Sequence, residues 1–215
     1  PVEYSISGIG QVQVREEIGL TFASALRSFL RQDPEIILVG EIRDAETADI
    51  ATKAALTGHL VLSTLHTNSA VGAITRLINM GLPRYLVSNA LTCVVAQRLV
   101  RISCNDCIRP YRPNELEEIS KNPLFDINQR HLLKKSDGCQ KCLGTGFVSR
   151  KAVHEVLNIS FGIKALINMD ASEQDIVELA KKEGYVPMIE RSRDLVYQGL
   201  TTIDQILRVI PTESS

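Results

Sequence analysis

Two short runs of consecutive apolar residues, with a helical pattern between them, constrain the fold of this chain most strongly. The first run is Ile36–Val39 and the second lies within 59–64. Apolar residues at successive rather than alternate positions predict strands that are covered on both faces, as in a parallel sheet. Asp44 is suited to cap a helix over about 45–56, which Gly58 closes. The order strand, helix, strand therefore predicts a right-handed βαβ unit within an α/β fold.

The same reasoning predicts further helices along the chain. Thr21 is expected to cap one helix, and others are expected at about 70–80 and 84–96. Cys93 falls within the last of these and is expected to be a small core residue. From about Ser160 onward the pattern predicts a helical region.

Polar side chains follow both predicted strands at their carboxyl ends, where open parallel sheets bind their ligands. Glu41 comes soon after the first strand and His66 soon after the second. An apolar strand that ends in an acidic residue is the general form of a Walker B motif, whose carboxylate helps to hold Mg²⁺ against nucleotide phosphates. A solvated carboxylate and a structural histidine are the simpler interpretations of these two residues.

Several arginines are expected near the same edge of the sheet: Arg27 and Arg31, one helical turn apart, together with Arg43 and Arg76. Guanidinium groups bind phosphates through paired hydrogen bonds. Surface arginines are usually solvated, so it is their concentration in one region that favours a phosphate-binding function.

Four of the five cysteines form two Cys-x-x-Cys pairs, Cys104 with Cys107 and Cys139 with Cys142. Such pairs in a chain without a recognisable secretory signal favour a metal over disulfides, and they predict a reducing, cytoplasmic location. Four thiolates are suited to one tetrahedral structural Zn²⁺. Ordinary reduced cysteines, or disulfides formed after purification, are the alternatives.

Composition argues against several other functions. The formal net charge of −1 and the sequence pI of about 6.5 disfavour a nucleic-acid backbone as the main ligand. An aromatic content of 5% disfavours a platform for base stacking. Because no apolar stretch approaches the roughly 20 residues of a membrane span, no transmembrane segment is expected.

Long ordered segments resemble motifs of the type II secretion and type IV pilus assembly ATPases. Residues 30–48 resemble the Walker B region of that family, 57–68 its His box, and 1–4 the end of its Asp box. Residues 97–101, with the paired cysteines, are similar to its metal-binding subclass. The resemblance is nearly continuous from residue 1 to about 109 and resumes at 138–155.

The resemblance implies a role for individual residues. Glu3 would be the general base that polarises the attacking water, and Glu41 the Walker B carboxylate. His66 would lie near the γ-phosphate with His59 supporting it. The implied cofactors are ATP with Mg²⁺, and a structural Zn²⁺ on the four paired cysteines. The arginines that would reach the nucleotide or a neighbouring subunit are Arg27, Arg31, Arg43, Arg76 and Arg150.

The sequence departs from the family pattern at three places. The P-loop, Gly-x-x-x-x-Gly-Lys-Ser/Thr, does not occur, and the Asp box is reduced to its last residues. Ser149, Lys151 and Ala152 stand around Arg150, where the family usually carries glycines. We therefore expect the chain to begin downstream of the P-loop of a longer protein, and to bind ATP weakly and not hydrolyse it alone.

The expected fold is the distal half of a RecA-like parallel-sheet ATPase domain at 1–103, a zinc-binding tetracysteine insertion at 104–148 and a C-terminal helical bundle at 149–215. The expected function is that of a homo-hexameric ATPase that powers pilin or pseudopilin assembly. It would act in the cytoplasm against inner-membrane platform proteins, without a nucleic-acid partner. A zinc-ribbon binding module without catalysis, and a hexameric helicase or recombinase, are the alternatives.

Overall fold

The computed structural model describes residues 2–119 and 124–210. Pro1, the first residue of the segment that resembles the Asp box, and 211–215, the end of the expected helical bundle, lie outside the described residues. The chain forms two compact units. The first consists of Pro1–Val94 and Leu157–Glu183, and the second of Val95–Val156 and Gly184–Ser215. This division into units does not test the domain boundaries that the sequence predicts after residues 103 and 148, so those boundaries stay a prediction.

The described residues form short helices and strands along the whole chain. In chain order these are α1 (Phe22–Phe29), β1 (Ile36–Val39), α2 (Ala45–Leu56), β2 (Leu60–Ser63), α3 (Ala70–Asn79), α4 (Arg84–Ala90), β3 (Cys93–Ser103), β4 (Ile108–Pro110), α5 (Pro113–Ile119), β5 (Lys134–Ser136), β6 (Phe147–Asn158), α6 (Phe161–Asn168), α7 (Glu173–Lys182), α8 (Met188–Tyr197) and α9 (Ile203–Val209). Two 3₁₀ turns, Glu16–Ile18 and Ile127–Leu132, complete the set.

In the first unit, β1 and β2 are parallel neighbours joined through α2, so the predicted βαβ unit is confirmed. Their register pairs Ile36 with Leu60 and Val39 with Ser63. One face of this sheet packs into a hydrophobic core. The buried members of that core are Leu26, Ile37, Val39 and Ala51.

The other face of the β1–β2 sheet is apolar and exposed. Ile36 is 63% exposed and Leu38 is 70% exposed, and Leu60 and Leu62 of the neighbouring strand are also exposed. The expectation that both faces are covered is therefore wrong for the described residues. Side chains alternate between the two faces of a strand, and α1 and α2 supply apolar side chains to only one of them.

The helix expected at 84–96 is shorter than predicted, because α4 ends at Ala90 and β3 begins at Cys93. Cys93 lies at the start of that strand and is exposed, so its assignment to a helical core was wrong. Val94 and Val95 are β-branched and fit a pleated strand better than a helix. The strand also has a partner, β6, that is far away in the sequence and that local periodicity does not reveal.

The C-terminal helices begin where their capping residues predict. Ser160, Ser172 and Thr202 each accept a hydrogen bond from a backbone N–H in the first turn of α6, α7 and α9. The helical bundle is expected to begin at 149, but residues up to Asn158 belong to β6. Helical structure therefore begins only at Phe161. Among the described helices, none combines the length and the apolar character that a membrane crossing requires.

In the second unit, β4 and β5 form an antiparallel pair between the two cysteine pairs, and β3 pairs with β6. Glu155 of β6 is buried and accepts a hydrogen bond from the backbone N–H of Met188 at 2.7 Å. Pro187, at the N-cap of α8, has no side chain that could do this. The buried carboxylate therefore replaces a local cap at the start of that helix.

Candidate functional site

The carboxyl ends of β1 and β2 are tied together directly after the two strands. The backbone N–H of Ile42 donates to the carbonyl of Thr64 at 3.1 Å. The hydroxyl of Thr64 donates in turn to the carbonyl of Gly40 at 2.7 Å. These two bonds fix the chain segments on which Glu41 and His66 stand.

Glu41 lies between an imidazole and a guanidinium group. One carboxylate oxygen lies 2.5 Å from Nε2 of His66, and the other accepts a hydrogen bond from Nε of Arg43 at 2.5 Å. The side chain of Glu41 is 12% exposed, whereas that of His66 is 88% exposed. A partly buried carboxylate thus lies between a solvent-accessible imidazole and the guanidinium of Arg43.

These residues line a recess of about 260 Å³ at the carboxyl edge of the sheet. The full lining is Glu41, Ile42, Arg43, His66 and Arg76. The structure therefore brings together four of the residues singled out from the sequence. A carboxylate is suited to the hydration shell of Mg²⁺, and arginine side chains are suited to phosphate oxygens.

Two of the predicted arginines lie elsewhere in the first unit. Arg27 of α1 forms an ion pair with Glu46 of α2, and both side chains are largely exposed. Arg31 is exposed, just beyond the end of α1. Neither residue belongs to the lining of the recess.

Other predicted site residues are also separate from the recess lining. His59 stands at the amino end of β2, where its Nδ1 atom lies 3.0 Å from the carbonyl of Ala54 near the end of α2. Glu3 is exposed within residues 2–14, which form no helix or strand. Arg150 is exposed on β6, in the second unit. The structure thus gives His59 a contact at the end of a helix and leaves the roles of Glu3 and Arg150 as predictions.

The four paired cysteines converge in the second unit. Their Sγ atoms all lie within 4.8 Å of one another. Individual separations are 3.8 Å for Cys104 and Cys139, 3.9 Å for Cys107 and Cys142, and 3.8 Å for Cys139 and Cys142. Four sulfurs around a tetrahedral zinc, at about 2.3 Å each, lie about 3.8 Å apart. A disulfide requires about 2.05 Å, so the sulfur atoms are too far apart for disulfides, and their separations fit a metal.

The backbone around the second cysteine pair favours a thiolate. The N–H groups of Cys139 and Gly146 donate to Sγ of Cys142 at 3.1 and 3.2 Å. Chiefly through the first of these bonds, the pKa of Cys142 is lowered to about 6. Burial raises the pKa of Cys107 to about 12. A divalent cation would hold all four as thiolates, because a coordinated thiol is deprotonated.

Sequence reasoning missed an ion-pair cluster between the two cysteine pairs. Arg109 donates two hydrogen bonds to Glu115, at 2.8 and 3.0 Å, and two to Asp137, at 2.5 and 2.8 Å. These bonds hold the pKa of Glu115 and that of Asp137 below their usual values. Asp137 is far from Arg109 in the sequence, so no local pattern links them. The cluster holds β4, α5 and the end of β5 in a fixed arrangement next to the cysteines.

Comparison with known proteins identifies extensive similarity over this chain. A family model described as type II/IV secretion system protein matches residues 1–208. The type II secretion system protein E of Pseudomonas aeruginosa is 45% identical over 214 residues, which are 99% of this chain and 42% of that protein. The type IV pilus assembly ATPase PilB of Thermus thermophilus is 48% identical over 208 residues, which are 96% of this chain and 23% of that protein. The chain therefore spans less than half the length of these relatives.

Solved structures show the same similarity in three dimensions. The pilus retraction motor PilT with bound ADP has a TM-score of 0.62 and 28% identity, over 91% of this chain and 46% of that one. The ATPase DotB of Yersinia pseudotuberculosis has a TM-score of 0.67 and 21% identity, over 97% of this chain and 46% of that one. Because the identity is only 21%, the likeness to DotB concerns the fold alone. Together they confirm the predicted α/β fold class.

Proposed function

The chain belongs to the type II/IV secretion system protein family, and from this premise we propose that it is the distal part of an ATP-hydrolysing motor subunit. The observation that carries the proposal is the recess in which Glu41, His66, Arg43 and Arg76 meet at the carboxyl edge of a parallel βαβ unit. Ligands of open parallel sheets bind at that edge. The motor would power the assembly of a pilus or pseudopilus.

Within the recess, Glu41 would hold the hydration shell of Mg²⁺, and Arg43 and Arg76 would bind nucleotide phosphates. His66 would release Glu41 and donate a hydrogen bond to the γ-phosphate. The contact between His66 and Glu41 supports this proposal, because it keeps the imidazole at the entrance of the recess. The P-loop would come from another part of the longer protein.

The remaining predicted residues would act from outside the recess lining. Glu3 would orient the attacking water as a general base. Arg27, Arg31 and Arg150 would face neighbouring subunits of a homo-hexamer, and their exposure supports such a role. His59 would support the site indirectly, by fixing the start of β2 through its contact with the end of α2.

The exposed apolar face of the β1–β2 sheet supports the view that this chain is part of a larger sheet. Four large apolar side chains of two neighbouring strands face outward there. Exposed apolar patches of this kind mark surfaces that are covered in the functional assembly. The preceding part of the longer protein is the proposed occupant, because the relatives named above are more than twice as long as the matched region.

The cysteine cluster would hold one structural Zn²⁺. Sulfur separations of 3.8–3.9 Å support a tetrahedral four-thiolate site. All four positions would be taken by protein ligands, which is typical of structural rather than catalytic zinc. The metal would stabilise the segment between β3 and β6.

The names of the relatives support an action within a secretion or pilus machine. Within such a machine, the chain would act in the cytoplasm against platform proteins of the inner membrane, without nucleic acid. The alternative of a hexameric helicase is tested by ATP hydrolysis in the longer protein, with and without single-stranded DNA. We expect Mg²⁺-dependent hydrolysis at the same rate in both cases. Stimulation by single-stranded DNA would favour the helicase, and absence of hydrolysis with Mg²⁺ would contradict the proposal.

A further inference from the structure

A second recess, of about 250 Å³, lies wholly within the second unit and has no part in the function proposed above. Three of the residues that line it are cationic: Arg101 of β3, Lys135 of β5 and Arg208 of α9. Asp204 is the one carboxylate of the described lining. The recess therefore has an excess of positive charge, in a chain whose formal net charge is −1.

The guanidinium of Arg101 is held in one orientation. Its Nε donates to the side-chain oxygen of Gln205 at 2.7 Å, and its central carbon lies 4.2 Å from the centre of the Phe147 ring. The backbone carbonyl of Arg101 also accepts a hydrogen bond from Thr201 at 2.7 Å. Among the described residues, no group accepts a hydrogen bond from the two terminal nitrogens of Arg101. A guanidinium that is held in one orientation, with its terminal nitrogens free, is suited to bind an oxyanion through paired hydrogen bonds.

A buried hydroxyl also lacks a partner at this recess. The Oγ atom of Ser136 is buried, and it makes no hydrogen bond to any described residue. Ser136 belongs to the lining. A buried hydroxyl without a partner destabilises the folded chain, and such groups usually find a partner in a bound molecule or water. An acceptor oxygen in the recess would satisfy it.

Lys135 is shared between two carboxylates without a close contact to either. Its Nζ atom lies 3.4 Å from Glu115 and 3.8 Å from Asp204. Arg208 is exposed at the edge of the recess. Neither cation is bound tightly by a carboxylate, so both can turn toward a ligand.

We propose that this recess binds a phosphoryl group. The terminal nitrogens of Arg101, together with Lys135 and Arg208, would neutralise the phosphate oxygens, and Ser136 would donate its hydroxyl. The lining itself has three cations and one carboxylate, while Glu115, outside the lining, lies 3.4 Å from Lys135. The positive charge that remains suits an anionic phosphate. The phosphoryl group could belong to a free phosphate or to the head group of an anionic lipid.

The first test is calorimetric titration of the full 215-residue, zinc-loaded chain with inorganic phosphate, at constant ionic strength. We expect saturable binding of one phosphate per chain. Arg208→Gln should weaken it about tenfold, the effect of one charge-assisted hydrogen bond. Arg191→Gln is the matched control, because Arg191 is an exposed helical arginine of the same unit outside the recess lining, and it should leave the affinity unchanged.

A second variant separates ligand binding from folding. Ser136→Ala removes a buried hydroxyl that has no partner, so the melting temperature of the unliganded chain should stay the same or rise. The same variant should reduce phosphate affinity several-fold. A fall in melting temperature with no change in affinity would show that the hydroxyl is structural.

The two phosphate sources are distinguished by sedimentation with vesicles of phosphatidylglycerol. A lipid head group as ligand predicts that the chain sediments with these vesicles and that Arg208→Gln reduces sedimentation, whereas Arg191→Gln does not. A free phosphate predicts binding only in the calorimetric arm. The proposal is overturned by the absence of saturable binding in both arms, or by binding that neither Arg208→Gln nor Ser136→Ala alters.

Discussion

The Nε2 atom of His66 lies 2.5 Å from a carboxylate oxygen of Glu41, although the two residues follow different strands. The bond between Thr64 and Gly40 fixes the strand ends that make this contact possible. The imidazole therefore occupies an oxygen that we propose for the hydration shell of Mg²⁺. Binding of Mg²⁺ with ATP would have to separate the pair.

Glu41→Gln in the longer protein should depress ATP hydrolysis far more than ATP binding. The amide keeps the shape of the side chain but loses the charge that would hold the Mg²⁺ shell. The measurement is single-turnover hydrolysis beside nucleotide-binding titrations. Glu35→Gln is the matched control, because Glu35 is an exposed carboxylate just before β1, at the opposite end of the strand. Equal loss of rate in both variants would argue against a specific role for Glu41.

Glu3→Gln should also reduce kcat, by a factor of about 10²–10⁴ if Glu3 is the general base. Residues that act as one catalytic unit are not additive, so the Glu3→Gln, Glu41→Gln double variant should be scarcely slower than the poorer single variant. The same single-turnover assay compares all three proteins. Near-normal turnover of Glu3→Gln would remove Glu3 from the mechanism.

The sequence was sufficient to predict the βαβ unit and the position of Glu41 and His66 at the same edge of its sheet. Both follow from local patterns: an apolar run, a capping Asp44 and the rule that parallel strands share their carboxyl edge. The predicted helix extends past Ala90, where α4 ends, because a run of successive apolar residues occurs in helices and strands alike. The β-branched Val94 and Val95 favour a strand, and pairing with β6, far away in the sequence, decides for it.

Contacts between residues that only the tertiary fold brings together could not be predicted from the sequence. Arg109 meets Asp137, and Arg101 meets Phe147 and Gln205, although each pair is separated by many residues. No periodicity connects such residues. The convergence of the four paired cysteines could be predicted. A four-thiolate metal site requires that Cys104 and Cys139 approach each other, whatever the fold of the residues between them.

The purified chain should contain one zinc ion, and Cys139→Ser should lose most of it. Chelation should increase hydrogen exchange within 104–142 and largely spare the β1–β2 sheet, because a structural metal stabilises mainly the segment that binds it. Metal analysis under reducing conditions measures the first effect. Cys93→Ser is the control, since Cys93 is an exposed cysteine outside the cluster. A metal-free chain, or equal loss in both variants, would contradict the assignment.

Gly138→Ala should weaken zinc binding and destabilise the chain more than Gly184→Ala. Both glycines have a left-handed φ, +93° and +95°, so both substitutions introduce backbone strain. At Gly138, a Cβ atom would also lie 2.4 Å from the backbone oxygen of Gly144, whereas nothing lies within 4 Å at Gly184. Thermal unfolding and competition with a zinc chelator measure the difference. Equal effects of the two substitutions would show that the close contact next to Cys139 is unimportant.

Glu115→Gln should destabilise the chain at neutral pH, and this difference should shrink in acid. The bonds from Arg109 lower the pKa of Glu115 in the folded chain, so the unfolded chain binds the proton more readily. The stability from this carboxylate is present above its unfolded pKa of about 4.3 and is lost as the pH falls through the lower folded value.

Urea unfolding of both proteins between pH 7 and pH 3 measures this effect of Glu115. Asp194→Asn, which changes an exposed carboxylate of α8 outside the ion-pair cluster, is the control and should give a much smaller difference at neutral pH. A difference between Glu115→Gln and the unchanged chain that is independent of pH would contradict the prediction.

The interleaving of the two compact units has a consequence during translation. Residues 157–183 belong to the first unit, yet the ribosome makes all of 95–156 before them. At about 5–20 residues per second, α4 therefore waits for several seconds before α6, its packing partner, has been synthesised. During that interval the nascent chain presents apolar helix surfaces that the finished protein buries. A chain arrested on the ribosome near residue 156 should accordingly bind general chaperones more strongly than the released chain.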